Sequence, residues 1–382
     1  MTRIACYNVE NLFARPNAFN PMDWDAGKPI IDAYHEVNEL FNKPIYSAAD
    51  RRRMRDLLVR LDIYSINENN VPRRKRTPTP RWAWLRNNRG SFDSQARDAT
   101  QPVKIIATGR GAWIGWVELA TEPTNEKATR LTGRVIDDVN ADIIAIVEAE
   151  DRPSLVRFNE EMLNIPYDHV MLVDGNDPRG IDVGIMTRAG YEIESIRSNV
   201  DLTDNVGTVF SRDCAQYEVQ TPNGNTVHIL VNHFKSQSGG GGAKRRRQAQ
   251  AVRRIVDDLV AAGEHVIVLG DLNEGPKTGQ TRAENLRSLY LQNSPLIEVF
   301  TLPNFAIGNR PGTFGTCTLP KRFDYIYISQ SLRQAYNGGG IFRDGLFCSL
   351  QSQNLRWPNY PDLTQENEQA SDHACVFIDL NI

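Results

Sequence analysis

The sequence predicts an α/β (α+β) protein: packed β-sheets with helices on the outside. Three observations carry this. From about residue 103 onward, short apolar runs recur at strand length, each bounded by turn residues. Only two or three helical periods separate them, and neither an internal repeat nor a long linker follows residue 103. The composition, 40% hydrophobic and 24% charged over 382 residues, is that of a globular chain long enough for one large domain or two ordinary ones. The expectation is a single domain, 1–382, carrying an insertion at 16–102.

The elements follow in chain order. Residues 3–9 alternate and read as a first strand. Pro16, Pro21, Pro29 and Pro44 then mark a loop-rich start. Ser47 is an N-cap, Asp50 sits in the first turn, and Met54, Leu57, Leu58 and Leu61 recur at helical spacing. Residues 71–91 are proline-rich, basic and aromatic, and read as a loop or extended arm. VKIIAT and GAWIGWVEL look like paired strands joined at Gly109 and Gly111. Thr129 to Asn140 is a helix striped by Leu131, Val135, Ile136 and Val139. ADIIAIVE, HVMLVDG, DVGIMTR, YEIESI, FSRDCAQYEVQ and TVHILVNHF are strands. Ala243 to Ala262 is a helix, and HVIVLGDLN, RFDYIYIS and HACVFIDL complete the strands.

The net charge of −3 neither favours nor excludes nucleic acid, but its distribution is uneven. Between Arg51 and Arg89 stand twelve Lys or Arg against three Asp or Glu, and Lys244–Arg247 are four consecutive cations. Such blocks are either phosphate-facing patches or solvated faces. The five cysteines are odd in number, scattered and without zinc-finger spacing, which points to buried thiols in a reducing, cytoplasmic setting. No apolar run is long enough for a membrane span. The start, MTRIACYNVENLF, lacks the pattern of a secretory signal.

The informative residues are those that end the strands. Asn8 and Glu10 close the first; Glu148 closes ADIIAIVE; Asn232 and His233 close HILVNHF. Asp271 and Asn273 close VIVLGDLN, Asp324 lies just inside RFDYIYIS, and Asp372 and His373 open the last strand. A lone buried charge costs several kcal/mol (about 3–5 when its partner is missing). Six polar ends on apolar strands are therefore best explained by convergence on one site. The inventory contains no serine elbow and no phosphate-cradling glycine loop with lysine. Glu148, Asp372 and Asn8 are hard oxygen ligands of the kind Mg²⁺ or Mn²⁺ takes. Histidines and amides would hold phosphate oxygens, and a carboxylate near a water could act as general base. Glu150 and Asp151 compete with Glu148 as metal ligand.

The ordered set NVENLF (8–13), DIIAIVEAED (142–151), VNHFKSQ (231–237), GDLNE (270–274), FDYIYIS (323–329) and SDHA (371–374) resembles the endonuclease/exonuclease/phosphatase superfamily. The resemblance spans residues 3–380, leaving out roughly 16–102. It implies the four-layer sandwich of deoxyribonuclease I: two packed mixed β-sheets flanked by helices, with the site at one edge. It implies Glu148 as principal metal carboxylate beside Asn8 and Asp372. Asp271 would orient or deprotonate the attacking water, with Asn273 as its partner on the phosphate. His373, paired with Asp324, would contact phosphate, and His233 matches the second histidine of the deoxyribonuclease and sphingomyelinase branches. The reaction implied is in-line attack of water on phosphorus.

Substrate is the open question, because this fold hosts many. Arg179, after Gly-Asn-Asp-Pro, either contacts phosphate or pairs with Asp182. Lys235 either touches phosphate or is solvated. Trp82, Trp84 and Arg86 in the insertion either stack on bases or pack the insertion down. The glycine run 239–242 would form a loop that orders on phosphate. The leading expectation is a nuclease acting on DNA or RNA. The alternatives are a phosphatase or phosphodiesterase of inositol phosphates or sphingomyelin-type lipids, and an inactive phosphate-binding module.

Overall fold

The computed structural model describes every residue except 11, 13, 20–23, 70, 76–79, 95–101, 178–179, 238–240 and 351. The chain divides into two compact units, Met1–Phe13 with Thr124–Ile382, and Ala14–Pro123.

The first unit holds two mixed sheets. Across the seven-stranded sheet lie Phe305–Ala306, Tyr336–Phe342, Cys375–Leu380, Thr2–Asn8, Ile143–Ala149, Asp182–Thr187 and His169–Val173. Across the six-stranded sheet lie Glu192–Arg197, Cys214–Gln220, Thr226–His233, His265–Asp271, Asp324–Ser329 and Leu296–Glu298. Each sheet has a parallel pair near its centre: Thr2–Asn8 with Ile143–Ala149, and Thr226–His233 with His265–Asp271.

Strand alternation sorts the residues into layers. Ile4 and Cys6 join the core shared with Tyr217, Ile229 and Val231 of the other sheet. Their neighbours Ala5 and Tyr7 turn the opposite way, toward Leu131, Val135 and Ile136 of the helix Glu126–Val139. Asn125 caps that helix by accepting the Lys127 and Ala128 N–H groups, and Asn140 ends it in the left-handed region. The helix Gly242–Ala261 covers the six-stranded sheet through Ala249, Val252 and Val256. Helix, sheet, sheet, helix is the four-layer build that the sequence implied. All five cysteines are buried free thiols.

The second unit has its own core. The helices Trp24–Phe41 and Ala48–Arg60 bring Val37, Phe41, Met54 and Leu57 against Phe92 and Trp113. Phe41 packs edge-on against both rings, at 4.9 and 4.8 Å. Ser47 and Asp50 form the capping box of the second helix. The strand Ala83–Arg89 pairs with Ile114–Leu119 as an antiparallel ribbon.

Two expectations need correction, and one helix carried no expectation. The proline-punctuated start is no loop throughout: Trp24–Phe41 is a helix containing Pro29. Its stripe Ile30, Tyr34, Val37 and Phe41 outweighs the one hydrogen bond Pro29 removes near the N-terminal end. GAWIGWVEL pairs with Ala83–Arg89, inside the stretch read as an arm, and not with VKIIAT, whose Ile105 makes one isolated bridge to Asp93. The helix Arg152–Met162 was unforeseen although Asp151 caps it and a proline sits in its first turn. Among the described residues, no helix is long and apolar enough to cross a membrane.

Candidate active site

Register brings the polar ends into two rows. In the six-stranded sheet His233 stands opposite Asp271, and Asp271 opposite Asp324. In the seven-stranded sheet Asn8 ends its strand opposite Val147, next to Glu148. Pairing then jumps from Val183↔Val147 to Asp182↔Ala149, so Glu148 is the extra residue of a β-bulge, with φ of 69°. A bulge re-aims a side chain, and left-handed backbone costs a non-glycine residue roughly 1–2 kcal/mol. Asn273 and Glu10 share that backbone region, each with φ of 51°. Gly270 has a stricter need: at φ of 137° a Cβ would lie 1.9 Å from the Asn232 carbonyl oxygen.

The rows meet at Asp271, which is 2% exposed. Its Oδ2 accepts from Asn8 Nδ2 at 3.2 Å and from Asn273 Nδ2 at 2.9 Å. The Nε2 atoms of His233 and His373 lie 3.7 and 3.9 Å from the same oxygen. Asn8 Nδ2 also reaches Glu148 Oε1 at 3.1 Å, and His233 Nε2 stands 3.5 Å from that oxygen. Asp324, wholly buried, bonds His373 Nδ1 at 2.8 Å and so leaves Nε2 facing Asp271. Asp372 Oδ1 is 3.7 Å from the same Nε2. Every described residue proposed for catalysis or metal binding thus belongs to one constellation.

Burial, opposed by His373 and reinforced by Asp324 and Glu148, pushes the Asp271 carboxyl up to about 7. Burial alone would lower the His373 pKa. The Asp324 and Asp271 carboxylates outweigh it and hold the imidazole protonated well above its ordinary value. The site therefore offers an acceptor poised near neutrality beside a cationic donor, the pairing that water activation at an anionic ester requires.

The donor set suits a hard divalent cation. Ligand atoms of Glu148, His233 and Asp271, and of Asp271, Asp324 and His373, each fall within 4.8 Å of one another. Glu148 and Asp372 keep their side chains partly exposed, at 17% and 31%, and so offer accessible carboxylate oxygens. Asp151 is occupied as a helix cap, accepting the Ser154 N–H at 2.7 Å.

Glu10 was named only as a strand end, and several other contributors escaped sequence reading. Glu10 Oε2 accepts the Asp372 N–H at 2.9 Å. Ser371 Oγ donates to the Asn8 carbonyl and accepts the His373 N–H. Thr313 Oγ1 accepts the N–H groups of Phe323 and Asp324. The buried Arg212 pairs with Asp177 at 3.0 Å and donates to the Phe234 carbonyl, which also accepts from Asn273 Nδ2. Of the residues missed, Ser371 alone had a signal, its place beside Asp372; Thr313 and Arg212 show only once the loops are folded.

The binding candidates fare differently. Lys235 is half-buried just past His233, its N–H bound to Gln248 Oε1. Arg179, Gly239 and Gly240 lie outside the described residues. Of the Lys244–Arg247 block, Arg245 is buried against Glu274 at 2.5 Å and Arg247 pairs with Asp204 at 2.5 Å. Lys244 donates to the Thr208 carbonyl, and Arg246 to Asn285 Oδ1. Trp82 packs on the core of the second unit, while Trp84 carries Arg86 over its ring at 5.0 Å. His169 and His228 pair with Glu192 and Glu264, at the strand ends away from the site.

A two-sheet sandwich that pools carboxylates, amides and histidines at its strand ends is the build of a phosphoric-ester hydrolase. The chain belongs to the endonuclease/exonuclease/phosphatase family, whose profile matches residues 110–339, more than half of the chain. Solved structures similar to it include a mannosyl-6-phosphatase of Bacteroides thetaiotaomicron (14% identity, TM-score 0.48, covering 66% of this chain and 91% of that one). An endonuclease/exonuclease/phosphatase family protein of the same organism shows 17% identity and a TM-score of 0.49, over 66% and 86% of the two chains. The catalytic domain of human nocturnin shows 17% identity and a TM-score of 0.45, over 66% and 86%. No curated protein matches the sequence.

Proposed function

We propose that the chain is a divalent-metal-dependent phosphodiesterase, a nuclease that hydrolyses DNA or RNA. The observation that carries this is Asp271 Oδ2, which two amides and two imidazoles surround within 3.9 Å. Asp271, with its carboxyl near 7, accepts a proton from the attacking water. The water oxygen bonds to phosphorus as the bond to the leaving oxygen breaks. His373 and His233 donate to the non-bridging oxygens as charge builds there, while Asn273 holds the Asp271 carboxylate in place. Glu148 and Asp372, with Asn8 beside them, would hold Mg²⁺ or Mn²⁺, which supplies neutralisation of the developing charge. Support for a polymer substrate comes from charge: residues 14–123 carry 18 Lys and Arg against 13 Asp and Glu, a balance of +5, leaving −8 on the rest.

The test is hydrolysis of supercoiled plasmid, single-stranded DNA, RNA and a phosphomonoester, each with and without Mn²⁺. Polymer cleavage that EDTA abolishes, and that Asp271→Ala or His373→Ala removes, is expected. Release of inorganic phosphate from the monoester with every polymer left intact would replace the nuclease by a phosphatase.

A further inference from the structure

The ribbon of the second unit has one face turned inward and one outward. Ala83, Leu85, Val117 and Leu119 take the inner side and join the unit's core. The outer side is set by the remaining pairs: Trp84 opposite Glu118, Arg86 opposite Trp116, and, after a register shift, Arg89 opposite Ile114. Two indoles thus alternate with two guanidinium groups on one surface. Trp116 is 39% exposed although large indoles normally bury their rings. The Arg86 guanidinium lies over the Trp84 ring at 5.0 Å and pairs with Glu118 at 2.8 Å, with its side chain still 43% exposed. Among the paired residues that set this face Glu118 is the one acid, and an exposed ion pair is weak enough for a phosphate to share or displace it.

We propose that this face binds single-stranded nucleic acid, bases stacking on Trp84 and Trp116 while phosphates meet Arg86 and Arg89. Diagonal neighbours on an antiparallel pair lie about 7–8 Å apart, so both indoles can serve bases of one strand. Stacking needs splayed bases, which a duplex keeps inside its helix, so the face selects single strands. Asn38 fixes the ribbon by bonding both the N–H and the carbonyl of Val117, giving the indoles a rigid platform. The proposal deepens the nuclease reading and rests on it.

The experiment is fluorescence anisotropy of a labelled thymidine oligomer, longer than the roughly 4–16 nucleotides of a single-strand site, with the full chain in EDTA. The parent chain should bind it more tightly than a duplex of equal length. Trp84→Ala and Trp116→Ala should each weaken binding about tenfold, Trp116→Phe should retain most of it, and Arg89→Ala should flatten its salt dependence. Hydrolysis of bis(p-nitrophenyl) phosphate should be unchanged in all four. Equal affinity for duplex and single strand, or unaltered binding by Trp116→Ala, would overturn the proposal while leaving the nuclease standing. Oligomer binding that depends on both indoles, in a chain that cleaves no polymer, would instead remove the nuclease and keep the face.

Discussion

Two regions rich in cations have opposite fates. In 244–247 the fold supplies an acceptor to every cation: Arg245 is buried on Glu274 and on the carbonyls of Lys235 and Ser236, and its neighbours reach Asp204, Thr208 and Asn285. On the ribbon Ala83–Arg89, Arg86 leans on an indole and holds only a solvent-exposed bridge to Glu118, and Arg89 stands exposed. Charge density in a sequence therefore does not mark a phosphate site. What decides is how fully the fold encloses a cation with its acceptors: the Arg245–Glu274 pair is buried, whereas the Arg86–Glu118 pair stays open to exchange with a ligand. The same contrast, buried and pinned against exposed and loose, separates the strand-end site from the ribbon face.

Variants sharpen that contrast in order of effect. At the pinned extreme, Asp271→Asn should lower kcat by about 10³-fold while the chain stays folded, since the amide keeps the carboxylate's shape but replaces one accepting oxygen by a donor and takes no proton. Steady-state rates on a small diester, beside the circular dichroism spectrum, check it; a loss below tenfold would remove Asp271 as base. Arg245→Ala leaves the Glu274 carboxylate buried without its counter-ion, and should cost about 3–5 kcal/mol in urea unfolding.

Asp182 tests the pinned region by pH. Burial, helped by Asp174 and Asp177 and opposed by the Gly175 N–H and Arg212, raises its carboxyl from 3.8 to about 7. Between those values the folded state holds a proton that the unfolded chain has lost. Stability therefore falls as pH rises through that window, with the full penalty above it. Asp182→Asn should raise stability by up to about 4 kcal/mol near pH 8 and leave it nearly unchanged near pH 4, read from thermal midpoints at both. A gain equal at both pH values would show that packing, not ionisation, is responsible. Arg86→Ala, at the loose extreme, should change stability by less than about 1 kcal/mol, because its bridge to Glu118 is exposed. A larger loss in the same unfolding assay would mean that the ribbon depends on that pair.

Much of this was legible in one dimension. Strand periodicity, the capped helix at Ser47 and the polar strand ends depend on neighbours within a few residues, and those are written in order along the chain. So were Asp271, His373 and Glu148 as chemistry, because an ionisable group that ends an apolar run is conspicuous wherever the strand goes. The bulge that turns Glu148 inward was not visible, since it arises from the register with Asp182–Thr187. Nor were the oxygen on which His233, His373, Asn8 and Asn273 converge, the burial of Arg245, and the face shared by Trp84 and Trp116. These depend on contacts between segments far apart in sequence. Periodicity and composition report what a residue prefers nearby, and only the packed sheets determine which distant group it meets.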